Sequence, residues 1–472
     1  MKIRLLSRIA LITSAAWCAS CAPLAVERSV ARMGELGRNP GVVERGGWKV
    51  VTLSGTPREI GLAHGRALAD EIDDSIRAVK LSLDHDGQGF DWAFYRDAAR
   101  RICVPKMPPE YRDEIQGIVK GLNEAGFKHD YLELVTYNAY MELAWTYAPE
   151  VKKKRDAGKA GEAVKPAPKG DHCSAFIATG PATADGKIVM AHSMWDGFLT
   201  GQRISFILDI TPAKGHRFVM DCLPGFIHSG TDWFINDAGI LITETTTPCE
   251  GFDEAGTPEF VRARSAAQYS ENLDDVYQWF LRGNNGGYSN TWLIGDLKAN
   301  EIGKLELALR NVVFSRSKQG WYSGSNIAED AKVLREDAPG YNPLDVNNGC
   351  ETRRRRWAEL LTQNAGRIDA SMARAFMGDV VDQRNGQVGA TGHTLCGRGD
   401  LGEGAQAHGA TNAKVTTAAM AANLSFWAIA GFPDQSSFSA QEWLEGKGKN
   451  DAWMKGMLRD IPRREWTEVP GR

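Results

Sequence analysis

The 472-residue chain lacks the short signatures that most often mark hydrolytic or nucleotide-binding sites. There is no GxxxxGK followed by Ser or Thr, no HExxH and no GxSxG, which removes P-loop, zincin and α/β-hydrolase chemistry as default readings. It has no excess of one charge either: 56 Lys and Arg stand against 59 Asp and Glu, without the basic footprint of a nucleic-acid partner. None of Cys103, Cys173, Cys222, Cys249, Cys350 and Cys396 lies at CxxC spacing, so zinc-ribbon and thioredoxin-like chemistry have no support. No internal repeat is visible. GRGDLG at 397–402 formally matches a dinucleotide fingerprint, but no helix pattern follows it and Gly404 comes soon after, so it reads as a glycine-rich loop. Beyond the N-terminus, Val415 to Pro433 is the one long uncharged stretch. Thr416, Thr417, Asn423 and Ser425 interrupt it, which predicts buried strands and not a membrane span.

What is present is ordinary globular material, 43% hydrophobic and 24% charged, enough for a large core or two domains. Fourteen tryptophans and fifty glycines suit strands joined by tight turns. Residues 1–20 read as a signal segment: Lys2, Arg4 and Arg8, then an apolar stretch from Ile9 to Trp17, too short to be a membrane helix. Ala19-Ser20-Cys21 resembles a lipoprotein cleavage site, which would leave Cys21 lipidated and attach the chain to a membrane, although Cys18 stands where an aliphatic residue is usual. Export, to the periplasm, an outer membrane or the medium, would permit disulfides among the six remaining cysteines. If Cys173 stays free, at least one of the other five is unpaired or pairs between chains.

Residues 21–150 read as mostly helical. A strand at Gly47–Leu53 leads to Thr56-Pro57-Arg58-Glu59, a capping box with Pro at the first helical position. Ile60, Ala63, Ala67, Leu68, Ile72 and Ile76 then follow at helical spacing. A second helix is predicted from Pro109 to Ala125. Residues 151–172 are rich in Lys, Gly and Pro and poor in large apolar side chains. Such a stretch cannot bury enough surface to offset its ordering entropy, so it is expected to be a mobile linker. From Cys173 onward the pattern becomes a meander of strands, with helices in blocks at Arg262–Leu281 and Glu351–Thr362, which argues for α+β layers.

A cysteine at the head of a strand, directly after an exposed loop, permits one specific chemistry. Cutting the His172–Cys173 bond would give Cys173 a free α-amino group, whose ordinary pKa of about 7.7–8.0 suits a general base. Nucleophile and base then share one residue. By position alone a buried strand cysteine is the competing reading.

HCSAFIATGPATADGKIVMAHSMWD resembles the start of the catalytic chain of phospholipase B-like proteins and, more distantly, of penicillin acyltransferase-like self-processing enzymes. FINDAGILITETTT, NNGGYSNTWLIGD and CGRGDLGEGAQAHGATNAKVTTAAM resemble further phospholipase B-like segments in the right order, and PREIGLAHGRALADEI and ETRRRRWAEL resemble the acyltransferase-like branch. The resemblance implies a four-layer αββα sandwich of two stacked antiparallel sheets, with residues 173–472 as the catalytic chain and self-association of the two chains after cleavage. It implies a nucleophile at Cys173, with His192 polarising the thiol or simply bonded in the core, and Asp196 holding the new α-ammonium. Asn290 is the expected oxyanion donor. Trp195, Thr245 and His408 are expected at the substrate, with Asn412 departing from the Asp of the phospholipase B-like pattern. Arg203 and Arg353 are candidate contacts for a carboxylate or phosphate; a run of four arginines reads more readily as a solvated helix face, which ranks Arg353 low. The implied reaction opens an ester or linear amide of a small-molecule acyl substrate through a thioester, with neither metal nor organic cofactor. An acyltransferase, a non-catalytic binding protein on the same fold, and an unprocessed papain-like hydrolase with His192 or His408 as base are the alternatives.

Overall fold

Two sheets carry the fold in the computed structural model, which describes residues 41–85, 88–157, 173–402 and 404–469. The signal segment, Cys21, His172 and most of the expected linker lie outside the described residues. The larger sheet has nine strands, in the order β1 (Val42–Arg45), β2 (Trp48–Gly55), β5 (Phe206–Pro212), β6 (Phe218–Cys222), β7 (Gly230–Asn236), β8 (Ile240–Thr246), β9 (Asn290–Asp296), β10 (Glu301–Leu307) and β11 (Val312–Ser317). The smaller has six: β12 (Gly320–Gly324), β3 (Cys173–Thr179), β4 (Val189–Gly197), β13 (His408–Thr417), β14 (Phe426–Ile429) and β15 (Thr467–Val469). All neighbours run antiparallel except β2 and β5, which pair in parallel from Lys49↔Phe206 to Gly55↔Pro212. The expectation of purely antiparallel sheets is corrected at that one seam.

Period-two alternation sorts the strand residues into layers. Ile177, Met190, Ile207, Trp233, Leu241 and Leu293 meet in the core between the sheets. Their chain neighbours Leu208, Ile242 and Ile294 turn outward against Ile60, Ile72, Ile115 and Phe280 of the helices. On the far side, Phe176, Val189, Ala191 and Val415 pack on Trp357, Leu361 and Phe376. Helix, sheet, sheet, helix is the resulting order of cores, so the α+β sandwich read from the sequence is the fold.

The helical layer over the large sheet is locked by a close crossing. Helix α1 (Pro57–Ala67) begins at the Thr56–Glu59 capping box, with both reciprocal bonds formed. It crosses α2 (Pro109–Glu124) through Gly61, Gly65, Gly117 and Gly121. A Cβ on Gly61 would lie 1.9 Å from the Glu114 carbonyl oxygen, and one on Gly117 2.5 Å from that of Arg58. Backbone cannot yield as a flexible side chain would. Gly61→Ala is therefore expected to lower Tm in calorimetry, at a cost of about 1–3 kcal/mol or more.

Three local readings change. The stretch read as linker begins as helix: α3 (Ala148–Asp156) continues through Lys152 and Asp156, which pair at 3.3 Å one turn apart. The single helix expected at 262–281 is two, α4 (Glu259–Tyr269) and α5 (Leu273–Leu281), because Asn272 caps a new start on the Asp275 N–H at 3.0 Å. All six cysteines from Cys103 to Cys396 are free thiols. The stretch 415–433 is β13, one short helical turn and β14, and among the described residues no helix is long and apolar enough to cross a membrane.

Candidate active site

Strand ends from both sheets converge on Cys173. It opens β3 opposite Met194 of β4, and it is fully buried. Two side chains from outside its strand fix its backbone. Asn326 Oδ1 accepts the Cys173 N–H at 2.9 Å. Arg353, on helix α6 (Gly349–Gln363), donates to the Cys173 carbonyl oxygen, to Ser174 Oγ at 3.1 Å and to Asn326 Oδ1 at 3.0 Å. The Asn326 amide in turn donates to the Thr246 carbonyl at 3.0 Å, tying β12 to β8. Both backbone groups of Cys173 are thus held by side chains.

The thiol lies 3.7 Å from Met194 Sδ and 3.9 Å from Asp232 Oδ2. Sγ, a ring nitrogen of His192 and an Asp232 carboxylate oxygen all fall within 4.8 Å of one another. Burial pushes the Cys173 thiol well up, and the Asp232 charge adds to it. His192 is held far below its ordinary value by burial, then by Lys414, so its imidazole is neutral. Asp232 is raised to about 6 by burial. Glu244, facing it, is raised further, by burial and then by the Asp232 charge. This is the behaviour of two carboxyls that cannot both ionise at close range. Cys173, His192 and Asp232 are also the one grouping among the described residues that could hold a metal ion, and a cation there would occupy the nucleophile.

Strain marks the same place. Among the described residues six non-glycine residues have clearly positive φ, and three of them, Asp232 (φ 71), Tyr288 (φ 48) and Asn326 (φ 64), lie around Cys173. Asn and Asp tolerate this region; for Tyr it costs more. Tyr288 is fully buried against Asp232, Glu244 and Cys173, which push its phenol up after burial itself.

The other expected site residues are spread around this group. Asn290 opens β9 opposite Thr246, with both amide atoms buried and without a hydrogen-bond partner. Thr245 Oγ1 is buried likewise, and it has room only because residue 324 is Gly: a Cβ there would sit 2.4 Å from it. Asp196 is the last residue but one of β4; its carboxylate accepts the Gly197 N–H at 2.8 Å and is raised to about 6 by burial. The acceptor found on the Cys173 nitrogen is Asn326. Trp195 lies under the Arg353 guanidinium at 4.5 Å, backed by Gly397, where any Cβ would collide with the indole at 2.1 Å. His408 meets the edge of Trp195 at 6.3 Å. Arg203 is elsewhere: it pairs with Asp74 at 2.7 Å and donates to the Leu199 and Met457 carbonyls, in the wall of a separate cavity of about 550 Å³.

Arg353 corrects the sequence reading. It is wholly buried, whereas Arg354 and Arg355 lie on the solvent side and pair with Glu351. Asp232, Tyr288 and Asn326 were not anticipated; an Asn just past the end of a strand, in Gly324-Ser325-Asn326, is the signal that marks such a left-handed position.

The family model described as Phospholipase B matches residues 111–347, half of the chain. The chain belongs to the phospholipase B family. Phospholipase B of Crotalus adamanteus is 23% identical over 301 residues, 58% of this chain and 54% of its own length. An uncharacterized protein of Archaeoglobus fulgidus is 27% identical over 267 residues, 53% of this chain and 42% of its own. Putative phospholipase B-like 2 of Homo sapiens is 28% identical over 156 residues, 29% and 26%. The chain therefore spans about half the length, or less, of these curated relatives. Among solved structures, a mutant of the conjugated bile acid hydrolase from Clostridium perfringens is similar at a TM-score of 0.33 and 9% identity, covering 55% of this chain and 89% of that one.

Proposed function

We propose that this phospholipase B family member is an exported cysteine hydrolase of the N-terminal-nucleophile kind, activated by a cut before Cys173. One observation carries the reading: Cys173 heads a central strand with its nitrogen on Asn326, its carbonyl on Arg353 and its thiol on Asp232. Cutting would leave the new α-amino group on the Asn326 acceptor, beside its own thiol. The α-amine takes the thiol proton as sulfur attacks the acyl carbon of an ester or linear amide, the departing alcohol or amine takes that proton from the α-ammonium as its bond to carbon breaks, and water resolves the thioester. Asn290, whose buried amide has no hydrogen-bond partner, is the candidate oxyanion donor. Tyr140, Trp145, Phe226 and Tyr288 form a continuous aromatic group beside Asp232, with ring centroids 5.5–6.1 Å apart, a surface that suits an apolar acyl group. The names of the relatives make a phospholipid the first substrate to try, and N-acyl compounds the second. An amine that outcompetes water would make the same site an acyltransferase.

The deciding experiment is intact-mass analysis with N-terminal sequencing. A fragment of about 33 kDa, running from Cys173 to Arg472 and beginning Cys-Ser-Ala-Phe, supports the reading; a chain never cut before residue 173 at any pH tried overturns it. With processed enzyme in hand, Asn290→Ala is expected to lower kcat about a hundredfold or more while KM changes little. Steady-state kinetics on a chromogenic acyl ester checks it, and an unchanged kcat removes Asn290 from the oxyanion role.

A further inference from the structure

Self-cleavage poses a problem that turnover does not: before the bond is cut, the Cys173 nitrogen is an amide and cannot act as a base. Some other group must take the thiol proton in the precursor. The thiol donates to Asp232 Oδ2 at 3.9 Å. Asp232 lies on β7, in the opposite sheet, and is held at φ 71. The titratable and charged groups bearing on it are Glu244 of β8, Tyr288 before β9, Lys414 of β13 and Asp221 of β6. Glu259 of α4, Tyr140 and Cys173 itself respond to its charge. Lys414 is committed to Asp221 at 2.7 Å, both fully buried, so it stabilises an ionised Asp232 only from a distance. His192 is the other base within reach, but burial and Lys414 oppose any imidazolium there.

We propose that Asp232 is the proton carrier of the self-cleavage step, with Glu244 as the group that sets its working pH. The inference rests on the self-processing reading above. In the first half of the step the S–H bond breaks and the proton passes to Asp232 Oδ2. The sulfur pair forms a C–S bond to the carbonyl carbon preceding Cys173, whose π electrons move onto oxygen. The intermediate then collapses: the C–N bond breaks, Asp232 returns the proton to the departing nitrogen, and a thioester with a free α-amine results. Water hydrolyses that thioester to a carboxylate and the restored thiol, so nothing is oxidised or reduced.

The test follows cutting of the full-length chain made by cell-free synthesis, sampled over time between pH 4.5 and 9. Wild type is expected to cut faster as pH rises through about 6, where Asp232 loses its proton, and then to level off. Asp232→Asn keeps the shape and tolerates the left-handed backbone; it should cut about a hundredfold or more slowly and lose the inflection. Asp232→Glu should restore part of the rate. Glu244→Leu removes the donor that stabilises ionised Asp232, so its inflection should move to higher pH, a change no loss of folding alone produces. Asp232→Asn cutting at the wild-type rate, an unmoved inflection in Glu244→Leu, or a slowdown that follows His192→Gln instead, would overturn the assignment. A wild-type chain that never cuts would instead remove the self-processing reading itself, which keeps the two failures distinct.

Discussion

Cys173→Ala is expected to yield a single uncut chain with no measurable turnover, while the fold persists. The reason lies in what the substitution removes. The Cys173 backbone contacts run through its nitrogen and carbonyl oxygen to Asn326 and Arg353, and alanine keeps both. Only Sγ is lost, leaving a small gap beside Met194 Sδ and Asp232, a cost of about 1 kcal/mol by analogy with small core truncations. Cutting and turnover, in contrast, both begin with attack by that sulfur. Loss of a nucleophile can remove about 10⁶-fold in kcat, so activity should fall to background while Tm moves only slightly. Mass spectrometry, calorimetry and an ester assay on one preparation check all three statements. An alanine variant cut before residue 173 would show that an outside protease does the processing; one that still turns over substrate would end the case for Cys173.

Arg353→Met should be nearly as damaging, by a different route. The buried guanidinium supplies the Cys173 carbonyl, Ser174 Oγ and Asn326 Oδ1 together, and stacks on Trp195. Methionine fills much of the volume but donates nothing, and each buried acceptor left without a donor costs about 1–3 kcal/mol. Once Arg353 is gone, Asn326 has one fewer anchor for holding the Cys173 nitrogen. Cutting and kcat are expected to fall about a hundredfold or more, with a clear drop in Tm. Arg353→Lys should recover little, because a point charge cannot serve three acceptors in the geometry of a planar fork. Arg354→Met and Arg355→Met are the internal controls: each leaves Glu351 paired with the other arginine, and neither should affect cutting. Equal effects from all four substitutions would sink the special role of Arg353.

That contrast among adjacent arginines shows how far the sequence could be read. Cys350, Arg353, Trp357, Leu360 and Leu361 are spaced three, four, three and one apart, the stripe of a buried helix face, and all five are buried. Helical periodicity applied to the arginine run would have set Arg353 apart from its neighbours; composition alone grouped the four together. Strand alternation and the Thr56–Glu59 box are local signals, and they placed the layers and α1 well. The parallel seam between β2 and β5 joins segments about 150 residues apart in the sequence, and no local pattern encodes it. Asp232 was invisible for a similar reason: its meaning comes from Cys173, Glu244 and Tyr288, which reach it from three other elements. Asn290 and Cys173 were legible through motif resemblance, and their burial and free polar atoms were not.

The parallel seam also governs what a cut before Cys173 would do to the molecule. Strands β1 and β2 precede the cut, and β5 to β11 follow it, yet they form one sheet. The two fragments would be interwoven through hydrogen bonds and the common core beneath, so neither could leave without unravelling the other. Unfolding would then become a one-way event. The intact precursor refolds as a single chain, at a rate independent of dilution, whereas the nicked protein would have to find its missing partner in solution. Maturation would thus exchange reversibility for activity: the protein would gain its α-amino base at the moment it loses the ability to repair itself after denaturation.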